Sequence, residues 1–127
     1  MRSNISITKT TRGQVPRLPF EKMATAILGT KYELSVVICG DSLAQRMNKE
    51  YRKKLYKPNV LSFPISKTEG EIFLNVQCAA HEAKKYKTTL SKRLALLFVH
   101  GCFHLKGLKH GPRMETAEQR TLERSGF

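Results

Sequence analysis

Residues 94–99, Leu-Ala-Leu-Leu-Phe-Val, are the longest uninterrupted apolar run in the chain. A helix that is apolar on every side has to be buried. The run is far shorter than the ~20 residues that span a bilayer, so it is buried in protein. A chain of 127 residues is one domain by default. A domain of that size hides roughly two-thirds of its unfolded surface. The run is therefore the middle of a core helix, expected from Thr89 or Ser91 to near Gly107, and the other elements pack around it. The next residues are His100-Gly101-Cys102-Phe103-His104-Leu105-Lys106-Gly107-Leu108-Lys109-His110. They start from a rigid base.

The surrounding elements can be read from periodicity. Residues 4–8 alternate as a strand, which is preferred over a transit-peptide reading of the acid-free first twenty residues. Pro19 suits a first helical turn, with Phe20, Met23, Ala24 and Ile27 on one face and Gly29 as C-cap. Residues 34–39 are a β-branched run, read as a buried strand. Asp41 or Ser42 is expected to cap the next helix, whose face carries Leu43, Met47 and Tyr51 and which Pro58 stops. A short strand over 60–63, ended by Pro64, and another over 71–74 are joined by a tight connection over 66–70. Asn75 caps a helix to about Tyr86, and a last helix covers about 115–124. The order predicts an α+β or α/β layer with a small mixed sheet. The first two strands are expected to be joined by a right-handed crossover, and the last two to pair antiparallel.

The histidine spacing carries the chemistry. His100 and His104 lie one turn apart on one helix face. Gly107 is free to take positive φ, so His110 can return to the same point. Three neutral imidazoles leave a fourth tetrahedral position for water, the pattern of a catalytic zinc site. Cys102 falls on the wrong helix face to close it, and His81 is expected to be exposed. The spacing equals that of the metzincin motif H-E-x-x-H-x-x-G-x-x-H. However, the catalytic glutamate of that motif falls at Gly101, so a peptidase mechanism is unsupported.

Charge points to the substrate. Lysine and arginine total 23 against 10 acids, a formal net charge of +13. Nucleic acid and anionic membrane surfaces are the usual partners of such a balance, with a merely solvated basic face as the alternative. Asp41 is the sole aspartate, which excludes mechanisms needing paired aspartates. Residues 83–114 hold no acid but include Lys84, Lys85, Lys87, Lys92, Arg93, Lys106, Lys109 and Arg113. A metal site among such residues suits a polyanion, and single-stranded RNA is the expected substrate class. Three cysteines without a CxxC argue for reduced thiols in an intracellular protein.

These residues resemble the YbeY endoribonuclease family. The segment His100-Gly101-x-x-His104-Leu105-x-Gly107-x-x-His110 is similar to its H-G-x-x-H-L-x-G-x-D-H signature. Asn48-x-x-Tyr51-Arg52 and Asn59-Val60-Leu61-Ser62-Phe63-Pro64 are similar to its N-x-x-Y-R and [DN]-V-L-S-F-P blocks. Gly70-Glu71-Ile72 stands where the family has G-D-I, and Leu122-Glu123 fits its C-terminal helix. The resemblance implies an α+β fold, a small mixed sheet with about five helices, whose buried central helix carries the metal ligands. It also implies one domain over 1–127, with no removable presequence. The implied activity is metal-dependent cleavage of single-stranded RNA in the cytoplasm, in ribosomal RNA maturation at the small-subunit 3′ end and in ribosome quality control. His100, His104 and His110 would hold Zn2+, and Arg52 would face the cleft and act on the scissile phosphate. Ribosomal RNA, ribosomal proteins and assembly GTPases are the implied partners, with no membrane.

Lys53, Lys54, Lys57, Lys84, Lys85, Lys92 and Arg93 are expected along the RNA backbone, and Ser62, Glu71 and Lys109 at the cleft. Glu71 is a general-base candidate by position alone. The chain departs from the family pattern at Lys109, where an aspartate is usual, and at Glu71, Leu55 and Pro58. Acids after His110 are sparse. These departures keep open a second reading, an RNA-binding ribosome-assembly factor whose metal is structural.

Overall fold

The computed structural model describes residues 4–127; the first three residues of the expected 1–127 domain lie outside them. Nine elements follow one another: β1 (Ile5–Lys9), α1 (Phe20–Leu28), β2 (Glu33–Cys39), α2 (Asp41–Arg52), β3 (Val60–Ser66), β4 (Glu69–Asn75), α3 (Val76–Lys85), α4 (Leu90–Lys106) and α5 (Pro112–Arg124). The sheet order is β1-β2-β4-β3. β1 and β4 flank β2 in parallel, and β3 pairs antiparallel with β4. This is an α+β fold with a mixed sheet.

Both faces of the sheet are covered, which is why β2 and β4 read as nearly continuous apolar runs. On one face Leu34, Val36, Ile38, Ile72 and Leu74 join the main core with α1, α4 and α5. On the other face Val37, Cys39, Leu61 and Phe73 pack under α2 through Ala44. The 94–99 run is central as expected. Leu94, Ala95, Phe98 and Val99 are at most 1% exposed, and Phe98 meets Phe20 edge-on at 4.9 Å. Truncating Phe98 to alanine would cost about 3–5 kcal/mol.

α4 lies directly on the sheet because position 101 is glycine. A Cβ there would sit 2.9 Å from Ser62 Oγ and 3.3 Å from side-chain carbons of Val60 and Ile72. Thr89 caps α4, its hydroxyl accepting from the Lys92 N–H, and Gly107 ends it at φ +98°.

Several boundaries differ from expectation. α2 has no side-chain cap. Asp41 is its first residue and accepts from Asn75 Nδ2 at 2.8 Å instead. The buried face of α2 is Ala44 and Asn48, with Tyr51 exposed. The helix ends at Arg52, not Pro58, because Lys53 turns left-handed at φ +59°. Pro64 does not end β3. That strand is an edge, where a missing N–H is tolerated, and it continues through a register shift to Ser66. The connection to β4 therefore narrows to residues 67–68. α5 begins earlier than expected, at Pro112. No helix among the described residues is long and apolar enough to cross a membrane.

Candidate metal centre and cleft

The three histidines converge. Their ring centroids are 4.5–4.7 Å apart, and one ligand atom from each lies within 4.8 Å of the others. His100 and His104 project from the last two turns of α4. His110 returns after the left-handed Gly107. His100 Nε2 and His104 Nε2 approach to 3.0 Å. A proton or a cation must lie between two such nitrogens, and a divalent ion satisfies all three rings.

A residue not singled out from sequence orients this set. Glu118 on α5 is 8% exposed, and its Oε2 is 2.6 Å from His100 Nδ1. A carboxylate can only accept, so Nδ1 carries the proton and Nε2 is left with its lone pair toward the cluster. A signal was present in the sequence. Met114, Glu118 and Leu122 form one i, i+4, i+8 stripe, and all three are buried. An acid on an otherwise apolar stripe needs a buried partner.

Burial lowers the His104 pKa below its ordinary 6.5, helped by the neighbouring His100, His110 and Arg52. That favours the neutral, metal-ligating form. The donor set therefore fits a borderline-soft divalent metal. Cys102 is fully buried away from the cluster and its thiol is pushed far up by burial. Cys39 is likewise raised to about 11.

The histidines line a cleft of about 450 Å3 that also takes in Arg52, Tyr56, Asn59 and Ser62. Arg52 Nη1 donates to Asn48 Oδ1 at 3.4 Å and to the Tyr56 hydroxyl at 3.3 Å. Asn48 is fully buried and also donates through Nδ2 to the Tyr56 carbonyl at 3.0 Å. Ser62 Oγ donates to the Gly101 carbonyl at 3.1 Å, which joins the cleft wall to α4.

The other expected site residues are distributed unevenly. Lys53, Lys54 and Lys57 are exposed on the segment between α2 and β3, next to Arg52. Lys109 is exposed beside His110. Lys84, Lys85 and Lys92 are exposed on α3 and the start of α4, outside the residues lining the cleft. Arg93 is bound to Glu82, Nε to Oε1 at 2.9 Å. Glu82 also accepts from Asn59 Nδ2 at 3.1 Å, so Arg93 braces the cleft wall from behind. Glu71 is a correction. Strand alternation turns Ser62 and its partner Ile72 toward α4, so Glu71 faces the other side, where Ser35 Oγ donates to it at 3.2 Å. It is not at the cleft and is no candidate base. His81 is exposed as expected.

Two imidazoles on a core helix and a third on the turn that follows it, at the floor of a cleft with an arginine on its wall, define a small α+β protein built around a candidate transition-metal centre. Residues 4–126 match the family model described as Endoribonuclease YbeY, and the chain belongs to that family. It is 35% identical over 111 residues to the Endoribonuclease YbeY of Mycoplasma mycoides, covering 72% of this chain and 68% of that one. It is 36% identical over 105 residues to that of Aromatoleum aromaticum, covering 80% and 68%. For Geobacter metallireducens the identity is 34% over 112 residues, covering 81% and 74%. A Thermotoga maritima protein solved in solution shares the fold, with a TM-score of 0.70 at 20% identity, over 94% of this chain and 89% of that one.

Proposed function

We propose that this chain is a zinc-dependent endoribonuclease that hydrolyses single-stranded RNA, acting as one domain over residues 1–127. The relatives' name, endoribonuclease, supports the reaction class. The observation that carries the reading is the three-histidine cluster, which opens into the cleft that Arg52 lines. A structural zinc site is normally closed by a fourth protein ligand, whereas the cluster among the described residues has three.

Bound there, zinc would supply Lewis acidity toward a phosphate oxygen and a water made acidic near neutrality. The chain's own residues do the rest. Glu118 fixes the tautomer of His100. Arg52 offers a planar fork of donors to a phosphate. Asn48 and Tyr56 hold that fork toward the cleft. Lys53, Lys54 and Lys57 attract the backbone of an incoming strand. A metzincin-type base is disfavoured sterically, because any side chain at position 101 would meet β3 and β4. The family resemblance supports ribosomal RNA in the cytoplasm as the target, at the small-subunit 3′ end, with ribosomal proteins or assembly GTPases as partners.

The test compares wild type, His104→Ala and Arg52→Ala on single-stranded ribosomal RNA, each with metal content measured. Wild type should cleave, His104→Ala should lose both metal and cleavage, and Arg52→Ala should keep the metal and lose cleavage. Equal activity in all three, or RNA binding without cleavage, would leave the assembly-factor reading.

A further inference from the structure

The segment between α2 and β3 carries an unusual surface. Among the described residues six large hydrophobic side chains are exposed, and three of them, Tyr51, Leu55 and Tyr56, lie within six consecutive positions. Basic residues Arg52, Lys53, Lys54 and Lys57 alternate with them. The segment is nevertheless firmly held. Gln45 Nε2 donates to the Leu55 carbonyl at 2.8 Å, buried Asn48 donates to the Tyr56 carbonyl, and the Lys54 N–H donates to the Asn48 carbonyl at 3.2 Å.

The four tyrosines differ in what covers their rings. Tyr86 has Lys85 Nζ 5.5 Å and Arg93 Cζ 4.9 Å from its ring centre. Tyr51 packs edge-on against Phe63 at 5.7 Å. The hydroxyl of Tyr32 is buried. Among the described residues no ring or cation covers Tyr56. It is 55% exposed, lines the cleft, and its hydroxyl accepts from Arg52. An uncovered aromatic face on a rigid basic segment is how single-strand binders hold bases, since every base has a π-face and stacking needs no particular sequence. A base-paired strand keeps its bases stacked internally and cannot use such a face.

We propose that Tyr56 is a nucleobase-stacking platform, holding an unpaired base next to the phosphate taken by Arg52 and selecting single-stranded over paired RNA. This rests on the RNA reading above. The ring of Tyr56 adds substrate contact, so its effect belongs to binding, whereas the hydroxyl's hold on Arg52 is a separate role.

The test is the affinity of zinc-loaded protein for a short 2′-O-methyl RNA strand, shown by gel to stay intact over the measurement, with a single abasic site placed at each position in turn. Tyr56→Ala should weaken binding roughly 5- to 150-fold, and Tyr56→Phe should retain most of the affinity. One abasic position should cost wild type a similar factor and cost Tyr56→Ala almost nothing. The salt slope should be the same in all variants, because no phosphate contact is removed. Unchanged affinity in Tyr56→Ala, or an abasic penalty that persists in it, overturns the proposal. So does a Tyr56→Phe variant as weak as Tyr56→Ala, which would assign the effect to the hydroxyl's hold on Arg52. If wild type fails to bind the strand at all, the RNA reading itself fails, and the platform with it.

Discussion

The two walls of the cleft are built in opposite ways. The α4–α5 wall is an extension of the core. His100 rises from Val99 and Phe98, both fully buried, and is tied to buried Glu118. The wall ending α2 is surface: Arg52 and the next five residues are all exposed, held by side-chain bonds to their backbone. The first wall has the rigidity that a metal demands. The second presents charge and an aromatic face to a ligand that must enter and leave. Precision is supplied by burial on one side and by hydrogen bonds to carbonyls on the other.

The difference can be broken from either side. The largest effects belong to the core wall. Removing the His104 imidazole should abolish metal binding while the fold persists, read by elemental analysis and circular dichroism. Gly101→Ala should lower stability by up to about 2 kcal/mol in urea titration. Overpacking against Ser62, Val60 and Ile72 costs about 1–3 kcal/mol, and the better helix propensity of alanine returns about 1. Glu118→Ala should weaken metal affinity roughly 10- to 100-fold, with Glu118→Gln intermediate, because its amide oxygen can still accept from Nδ1.

A pH effect belongs to the same wall. The fold lowers the pKa of His104, so the unfolded chain takes up that proton first. Stability of the metal-free protein is fully present above about 6.5 and should fall as pH drops from there through the lowered value. Urea midpoints across that window would show it.

The smallest effects belong to the surface wall. Lys54→Ala should weaken RNA binding uniformly and reduce the salt slope by about one. Lys53 adopts φ +59°, a conformation that disfavours a side chain. Lys53→Gly should therefore raise stability by up to about 1 kcal/mol while removing one cation from the cleft approach.

What could be read from sequence follows the same division. The core wall was legible because periodicity and spacing encode it: residues 94–99, the i, i+4 spacing of the histidines, a helix start near Thr89, the Gly107 stop and the cap at Asn75 all stand as expected. Glu118 was missed because its partner is eighteen residues away and only tertiary packing joins them. Glu71 lies on the opposite face because its side is set by the β3–β4 register, which pairs Ser62 with Ile72 and which position in sequence does not show. The ends of α2 and β3 differ from expectation because prolines at 58 and 64 look like stops. A left-handed lysine had already ended the helix, and an edge strand tolerated the second proline. Tyr56 has no sequence signal at all, since exposure of a ring face depends on what else packs nearby.

The most direct measurement is metal reconstitution. The protein is stripped with a chelator, its fold is checked, and zinc is returned stepwise while cleavage of single-stranded RNA is followed. The account predicts no cleavage by the stripped but folded protein, with recovery that levels off when each chain holds one ion. Undiminished cleavage after the metal is gone, or no cleavage at full zinc loading, would contradict it.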